Sequence, residues 1–352
     1  MKIIHIVGAR PQFVKAVMVS RAWHSPDEEY LLHTGQHYSP EMSNLFFNEL
    51  GLKEPDINLN LGGGNHAEQT SSMLLGIDQY FEELQPDHVL VYGDTNSTLA
   101  GALASSKRGI PLSHIEAGLR SFNRSMPEEI NRIVADHLSD FLFCPTKISL
   151  GNLETEGLKD NAFMVGDVMA DAVFLFSKIA EKKSKILEDL KLQPKEYCLV
   201  TTHRSRNVDI KKNLLEIIEG LSEIDQPIVL PLHPRTRKML KKFHLQFPKN
   251  VQLIDPVGYL DMLILEKNAE CILTDSGGIQ KEAYLFGVRC ITMREETEWV
   301  ETVDVGWNCL VGANREKILK NYHDFYPEKN RPQIYGMGDA SDKIVQIIKS
   351  SC

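Results

Sequence analysis

The chain lacks the short motifs that mark the commonest nucleotide and metal enzymes. Its first apolar run, "KIIHIVG", leads into "ARPQFVK" and not into a GxGxxG fingerprint, and it has neither a GxxxxGK[ST] phosphate loop nor an HExxH zinc motif. These absences remove the default dehydrogenase, P-loop NTPase and zinc-hydrolase readings. "LGGGNH" at 61–66 is glycine-rich, but an isolated glycine run before a helix reads first as a flexible loop. Cysteine is sparse: Cys144, Cys198, Cys271, Cys290, Cys309 and Cys352 show no CxxC or other metal spacing. Most sit in apolar runs such as "DFLFCPT" and "YCLVTTH", so reduced core residues are expected rather than disulfides or ligands. The N-terminal "MKIIHIVGARPQ" has too short an apolar stretch for a signal sequence or membrane span, and a cytoplasmic location without a membrane partner is expected. Positive charge is in deficit, with a net charge of −9, which argues against broad binding to nucleic acid or anionic membrane.

What the chain does have is enough length for two cores. Its 352 residues exceed the usual size of one hydrophobic core, and its apolar (42%) and charged (25%) fractions are those of an ordinary globular protein. Strand candidates "KIIHIVG", "EYLLHTG", "HVLVYGD", "LSHIEAG" and "FLFCPT" alternate with helical segments at 11–24, 39–50, 66–84, 95–108 and 127–138. After "FMVGDVMADAV" the pattern restarts with "CLVTTH", "PIVLPLH", "VQLIDP", "CILTDSG" and "CITMRE". Continuous apolar strands spaced by helices predict parallel sheets covered on both faces. The expectation is therefore α/β, with two Rossmann-like doubly wound domains and a hinge near Gly166–Asp171. In such sheets ligands bind beyond the carboxyl ends of the strands.

The unusual residues fall at those ends. Arg10 and Lys15 follow the first strand, where they either face an anionic ligand or form an exposed basic helix start. Asp94 follows "HVLVYG" and is either a helix N-cap or a functional acid. Glu116, at the end of an apolar strand, needs a partner or an altered pKa. In "MPEEINR", Pro127 suits the first helical turn; Glu128 has i,i+4 spacing to Arg132, and Glu129 reads as a solvated first-turn acid. In the second half, "TTHRSRN" supplies His203 and Arg204, and "PLHPRTRK" supplies His233, Arg235 and Arg237. "LTDSGGIQKEA" ends a strand at Asp275 and opens a helix at Ser276, Gly277 and Gly278, as a diphosphate cradle requires. Glu282, a turn later, either accepts from ribose hydroxyls or is simply exposed.

In order, "GARPQFVK", "HTGQHY", "YGDTNSTLAG", "HIEAGLR", "MPEEINR", "VGDVMADA", "TTHR", "LHPR", "TDSGGIQKEA" and "TEWVE" resemble the bacterial UDP-N-acetylglucosamine 2-epimerases over nearly the whole chain. The resemblance implies two domains in a glycosyltransferase-B arrangement with the active site in the interdomain cleft: 1–166 plus 336–352, and 167–335, with "SDKIVQIIKSS" crossing back to the first. It implies a homodimeric isomerase that needs no metal or nicotinamide. The enzyme would eliminate UDP from a UDP-2-acetamido sugar and add it back with a proton on the opposite face of C2. By motif, Asp94, Glu116, Glu128 and His203 are the catalytic candidates. Arg10, Lys15, Arg132, Arg204, Ser276, Gly277 and Glu282 are the substrate-binding candidates.

Departures from the family pattern are Gln12 for an acid in "RPQ", Arg206 in "HRSR", Trp299 for an arginine in "TEWVE", and Met337 for an acid in "YGMG". An Arg-Gln pair that binds a second, activating UDP-sugar in some members is not evident in "GGGNHAEQT", although Gln36 matches part of that region, so little activation of that kind is expected. "SFNRSMPEEINR" and "TEWVE" look more like the branch acting on UDP-2,3-diacetamido-2,3-dideoxyglucuronate. A two-domain glycosyltransferase, a hydrolysing epimerase and a non-enzymatic nucleotide-sugar sensor are the competing readings.

Overall fold

The computed structural model describes residues 1–23, 28–36, 54–328 and 330–351, without the side chain of Arg10. The helix expected at 39–50 lies outside the described residues. The chain divides into two compact units, Met1–Phe174 with Gln333–Cys352, and Leu175–Pro332.

Among the described residues the first unit has seven parallel strands: β1 Lys2–Val7, β2 Glu28–His33, β3 Ile57–Asn58, β4 His88–Tyr92, β5 Leu112–Ile115, β6 Phe141–Cys144 and β7 Ala162–Met164. They lie in the order β3-β2-β1-β4-β5-β6-β7. The order reverses between β1 and β4, where the crossovers diverge and leave space for a ligand. β4 is buried along its whole length, as expected of a strand covered on both faces. The helix His66–Leu84 lays Met73, Ile77 and Phe81 against the sheet at four-residue spacing. Asn65 caps it by accepting from the amides of Ala67 and Glu68, while Glu68 accepts from Asn65 N–H, so "LGGGNH" is the loop that leads into this capped helix. The final helix, Ala340–Ser351, belongs to this unit. Buried Asp171 accepts from the amides of Ala340 and Ser341 and from the Ser341 hydroxyl, and burial pushes its carboxyl above the ordinary value.

The second unit repeats the plan with six parallel strands: β8 Cys198–Thr201, β9 Ile228–Pro231, β10 Val251–Ile254, β11 Cys271–Thr274, β12 Arg289–Thr292 and β13 Asn308–Leu310. Their order, β10-β9-β8-β11-β12-β13, puts the switch point between β8 and β11. The helix Lys211–Ser222 buries Leu214, Ile217, Ile218 and Leu221 against this sheet, a stripe at helical spacing. Cys144, Cys198, Cys271 and Cys290 are buried free thiols, and Cys309 is half-buried and also free. Among the described residues no helix is long and apolar enough to cross a membrane.

Three strands were missed by pattern reading, β3, β7 and β13. They have two or three residues each, too few for a run to emerge from the surrounding loop.

Two buried histidines make the first unit sensitive to acid. His33, at the end of β2, and His88, at the start of β4, are each lowered to about 4 by burial. Between pH 6.5 and 4 the unfolded chain binds protons that the fold refuses. Stability is therefore full above about pH 6.5 and declines as pH falls, by up to about 3 kcal/mol per histidine. Urea midpoints measured from pH 7.5 to 5 should fall accordingly, and His88→Gln should flatten the slope; a midpoint indifferent to pH would contradict this.

Candidate active site

At the switch point of the first unit the chain leaves β1 through Gly8, whose missing Cβ is required: a Cβ there would lie 2.0 Å from Ser97 Oγ. Arg10 takes the first position of the helix Arg10–Ala22, and its side chain lies outside the described part of the structure. Lys15, a turn and a half on, is buried and pairs with Glu116. Glu116 follows β5 in the left-handed region at φ 79°, and its N–H and that of Ala117 both donate to Phe143 O. Such a conformation costs a residue other than glycine about 1–2 kcal/mol and persists only where neighbours enforce it. Gly93, after β4, faces both members of the pair: a Cβ there would lie 3.3 Å from Glu116 Oε2 and 3.5 Å from Lys15 Nζ.

Asp94 is not the N-cap that its position suggested. Thr95 takes the N-cap of the helix Asn96–Arg108, which leaves the Asp94 carboxylate to accept from Arg132 Nε at 3.1 Å. Asn131 Nδ2 holds the Asp94 carbonyl at 2.9 Å. Both partners come from the helix Pro127–Leu138, which also carries Glu128 in its first turn. Glu128 is half-buried there. Glu129 is not the solvated acid that its first-turn position implied. It is buried and accepts from Ser121 N–H, Ser121 Oγ, Phe122 N–H and Arg132. Burial opposes its charge, yet the Ser121 amide and Arg132 hold its carboxyl below the usual value.

In the second unit the corresponding switch point is organised by Asp275, which is fully buried. Its carboxylate accepts from the amides of His203 and Arg204, from Thr202 Oγ1 and from Asn207 Nδ2, all at 3.0–3.1 Å. His203 Nδ1 lies 3.3 Å from the same group, and the His203 ring packs on that of His233 with centroids 5.2 Å apart. Burial lowers the pKa of His203 against the charge of Asp275. Ser276 is the N-cap of the helix Gly277–Phe286, and its hydroxyl makes no capping bond to the helix. A Cβ on Gly277 would lie 2.3 Å from Glu298 Oε1, so only glycine leaves this helix start open. Glu282 is buried, contrary to an exposed reading.

A model of the UDP-N-acetylglucosamine 2-epimerase family matches residues 23–349. The chain belongs to that family. A UDP-N-acetylglucosamine 2-epimerase homolog of Methanococcus maripaludis is 52% identical over 99% of this chain and 100% of its own. The UDP-2,3-diacetamido-2,3-dideoxy-D-glucuronate 2-epimerase of Pseudomonas aeruginosa is 47% identical over 99% of both chains. The crystal structure of the Methanocaldococcus jannaschii UDP-GlcNAc 2-epimerase, in complex with UDP-GlcNAc and UDP, superposes with a TM-score of 0.94 at 45% identity, over 99% of this chain and 100% of that one.

Three of the departures from the epimerase pattern have local partners here. Gln12 accepts from the amides of Gly8 and Ala9 and donates to Tyr92 O, Thr95 Oγ1 and Thr98 Oγ1. Arg206 pairs with Glu295 and Glu296. Trp299 packs its indole under Lys281 Nζ, 3.9 Å from the ring centre, a buried cation–π contact. Met337 is exposed, and nothing in the structure explains the loss of the acid there. Of the second-half basic residues, Arg235 and Arg237 pair with Asp209 and Asp255 on the surface. Among the described residues no three His, Cys, Asp or Glu side chains cluster to hold a metal ion.

The sequence reading misplaces Glu129 in solvent and passes over Asn131. The i,i+3 spacing of Glu129 to Arg132 was the available signal for the first. Asp275 was seen only as a strand end, although one carboxylate there collects most of the loop's donors. Asp275→Asn would turn an acceptor oxygen into a donor facing N–H groups. It should lower the stability of the second unit by roughly 2–4 kcal/mol. Urea denaturation checks this, and an unchanged midpoint would contradict it.

Proposed function

We propose that the protein is a non-hydrolysing UDP-N-acetylglucosamine 2-epimerase. It would interconvert UDP-GlcNAc and UDP-ManNAc by elimination and re-addition of UDP through a 2-acetamidoglucal. The observation that carries this reading is the pairing of Asp94 with Arg132 and of Glu116 with Lys15 beyond the carboxyl ends of the neighbouring strands β4 and β5, with Gly93 facing the second pair. Two carboxylates held by cations at a switch point suit proton transfer at two faces of one carbon. In the forward step a carboxylate takes the C2 proton while the C1–O bond breaks, its electron pair leaving with UDP. A second acid then protonates C2 from the opposite face as the UDP oxygen adds back to C1.

The candidates for these steps are Asp94, Glu116 and Glu128. His203, beside Asp275, would donate to the glycosidic or phosphate oxygen. Ser276, Gly277 and the helix start behind them suit the diphosphate with Arg204, while Arg10 would add a cation and Glu282 would accept from the ribose. The reading makes UDP-sugar the ligand and includes a cytoplasmic homodimer without membrane or nucleic-acid partners. A second reading, UDP-2,3-diacetamido-2,3-dideoxyglucuronate as substrate, is favoured by the 47% identity to the Pseudomonas aeruginosa enzyme.

Proton NMR in deuterated buffer decides between the substrates. UDP-GlcNAc should lose its C2 proton signal and give UDP-ManNAc; exchange with the diacetamidoglucuronate alone would move the assignment to the second reading, and exchange with neither would refute both. Asp94→Asn, Glu116→Gln and Glu128→Gln should each slow exchange by at least roughly 100-fold and leave UDP affinity within a few-fold. Saturation should be hyperbolic; a steep sigmoid abolished by Gln36→Ala would show an activating site instead.

A further inference from the structure

His114 stands on β5 with its side chain wholly buried. Its Nε2 lies 2.7 Å from the carbonyl oxygen of Gly93, and its Nδ1 lies 2.6 Å from Asp136 Oδ1. A carbonyl oxygen can only accept, so Nε2 donates. The carboxylate of Asp136, on the helix Pro127–Leu138, already accepts from Gly118 N–H at 3.1 Å and pairs with Arg120 at 2.7 Å. Two obligate donors favour its ionised form, so Nδ1 donates as well. With both nitrogens donating, the ring is an imidazolium. Arg120 completes the set with a two-pronged contact to Glu156 at 2.7–2.8 Å. Two cations and two carboxylates then balance, which is the condition for keeping ions in so dry a place.

This network grips the site loops from beneath. His114 holds the carbonyl immediately before Asp94. Asp136 holds His114, two residues before Glu116, and Gly118, two residues after it. Between those two holds Glu116 keeps its left-handed backbone, φ 79°. We propose that His114 and Asp136 are positioning residues that fix the acid-bearing ends of β4 and β5 relative to each other during the reaction. The proposal rests on the reading of Asp94 and Glu116 as acid–base groups.

The test has two parts, both on the full chain. In nitrogen-15 NMR of the wild-type protein labelled at histidine, the His114 ring should show a proton on each nitrogen at neutral pH; a single ring proton overturns the proposal. In kinetics, His114→Gln can serve only one of the two partners, and Asp136→Asn keeps the shape while losing the charge. Each should lower kcat for C2 exchange by roughly 100-fold, the scale of a small misplacement of reacting groups. KM and UDP affinity should stay within about three-fold, and kcat is referred to the concentration of UDP-binding sites, because loss of folded protein would lower the rate per total protein without lowering it per binding site. If His114→Gln does not fold, Asp136→Asn and the wild-type spectrum carry the decision. Variants that fold and exchange at the wild-type rate overturn the positioning role alone. A wild type that exchanges neither UDP-sugar removes the acid–base reading, and the positioning role with it, whatever the ring shows.

Discussion

Because both faces of each sheet are covered by helices, polar side chains gather where the strands stop. That constraint places the candidate site. It also sets the terms on which the site is built, since a strand end next to a core offers little water to groups that must stay polar. Each unit answers with a buried carboxylate that collects the donors of its turning loops. In the first unit Asp136 gathers a histidine, an arginine and an amide; in the second Asp275 gathers two amides, a threonine and an asparagine. These acceptors fix the amides that face them, Gly118 in the first unit and His203 and Arg204 in the second.

Such charges do not stabilise a fold cheaply. Removing two ions from water costs several kcal/mol per ion, and good geometry does little more than offset it. What buried pairs do provide is selectivity among conformations, because every alternative arrangement leaves a charge without its partner. Glu116 illustrates the need. A glutamate at φ 79° gains nothing locally from that conformation, so the strain must be met by the bonds on either side. Lys15 at its carboxylate and Phe143 O at its amide complete the restraint. Glu129 does the same for the next loop, holding the amides of Ser121 and Phe122 while Phe122 sits at φ 57° with its ring exposed.

Most of the architecture was legible in the sequence because apolar runs and helical stripes are local signals. β1, β4 and β5, with the helices His66–Leu84 and Pro127–Leu138, announce themselves by β-branched runs or periodicity. Strands of two or three residues have no period to read, and β3, β7 and β13 became visible only through their neighbours in the sheet. The site residues were legible as positions but not as partnerships. Asp94 looked like a helix cap because capping depends on the next few residues, whereas its contact with Arg132 spans 38 positions. Glu129 looked solvated for the same reason: its burial is decided by the loop at Ser121 folding back over the helix start.

Gln12 shows how a departure from a family pattern acquires a physical reason once the partners are known. Its carboxamide oxygen accepts from two successive amides, Gly8 and Ala9, at 2.8 and 3.0 Å, a role that a glutamate could also fill. Its nitrogen donates to Tyr92 O at 2.5 Å and to the hydroxyls of Thr95 and Thr98 at 3.0 Å. A carboxylate here would set an oxygen against the Tyr92 carbonyl, two acceptors with no proton between them. The Thr98 hydroxyl cannot relieve that clash, since it already donates to the same carbonyl at 2.6 Å. In this chain the amide therefore fits its surroundings better than the acid, and it ties β4's end to the start of the first helix. The surroundings of residue 12, rather than the motif in which it stands, determine which of the two side chains is suited to it.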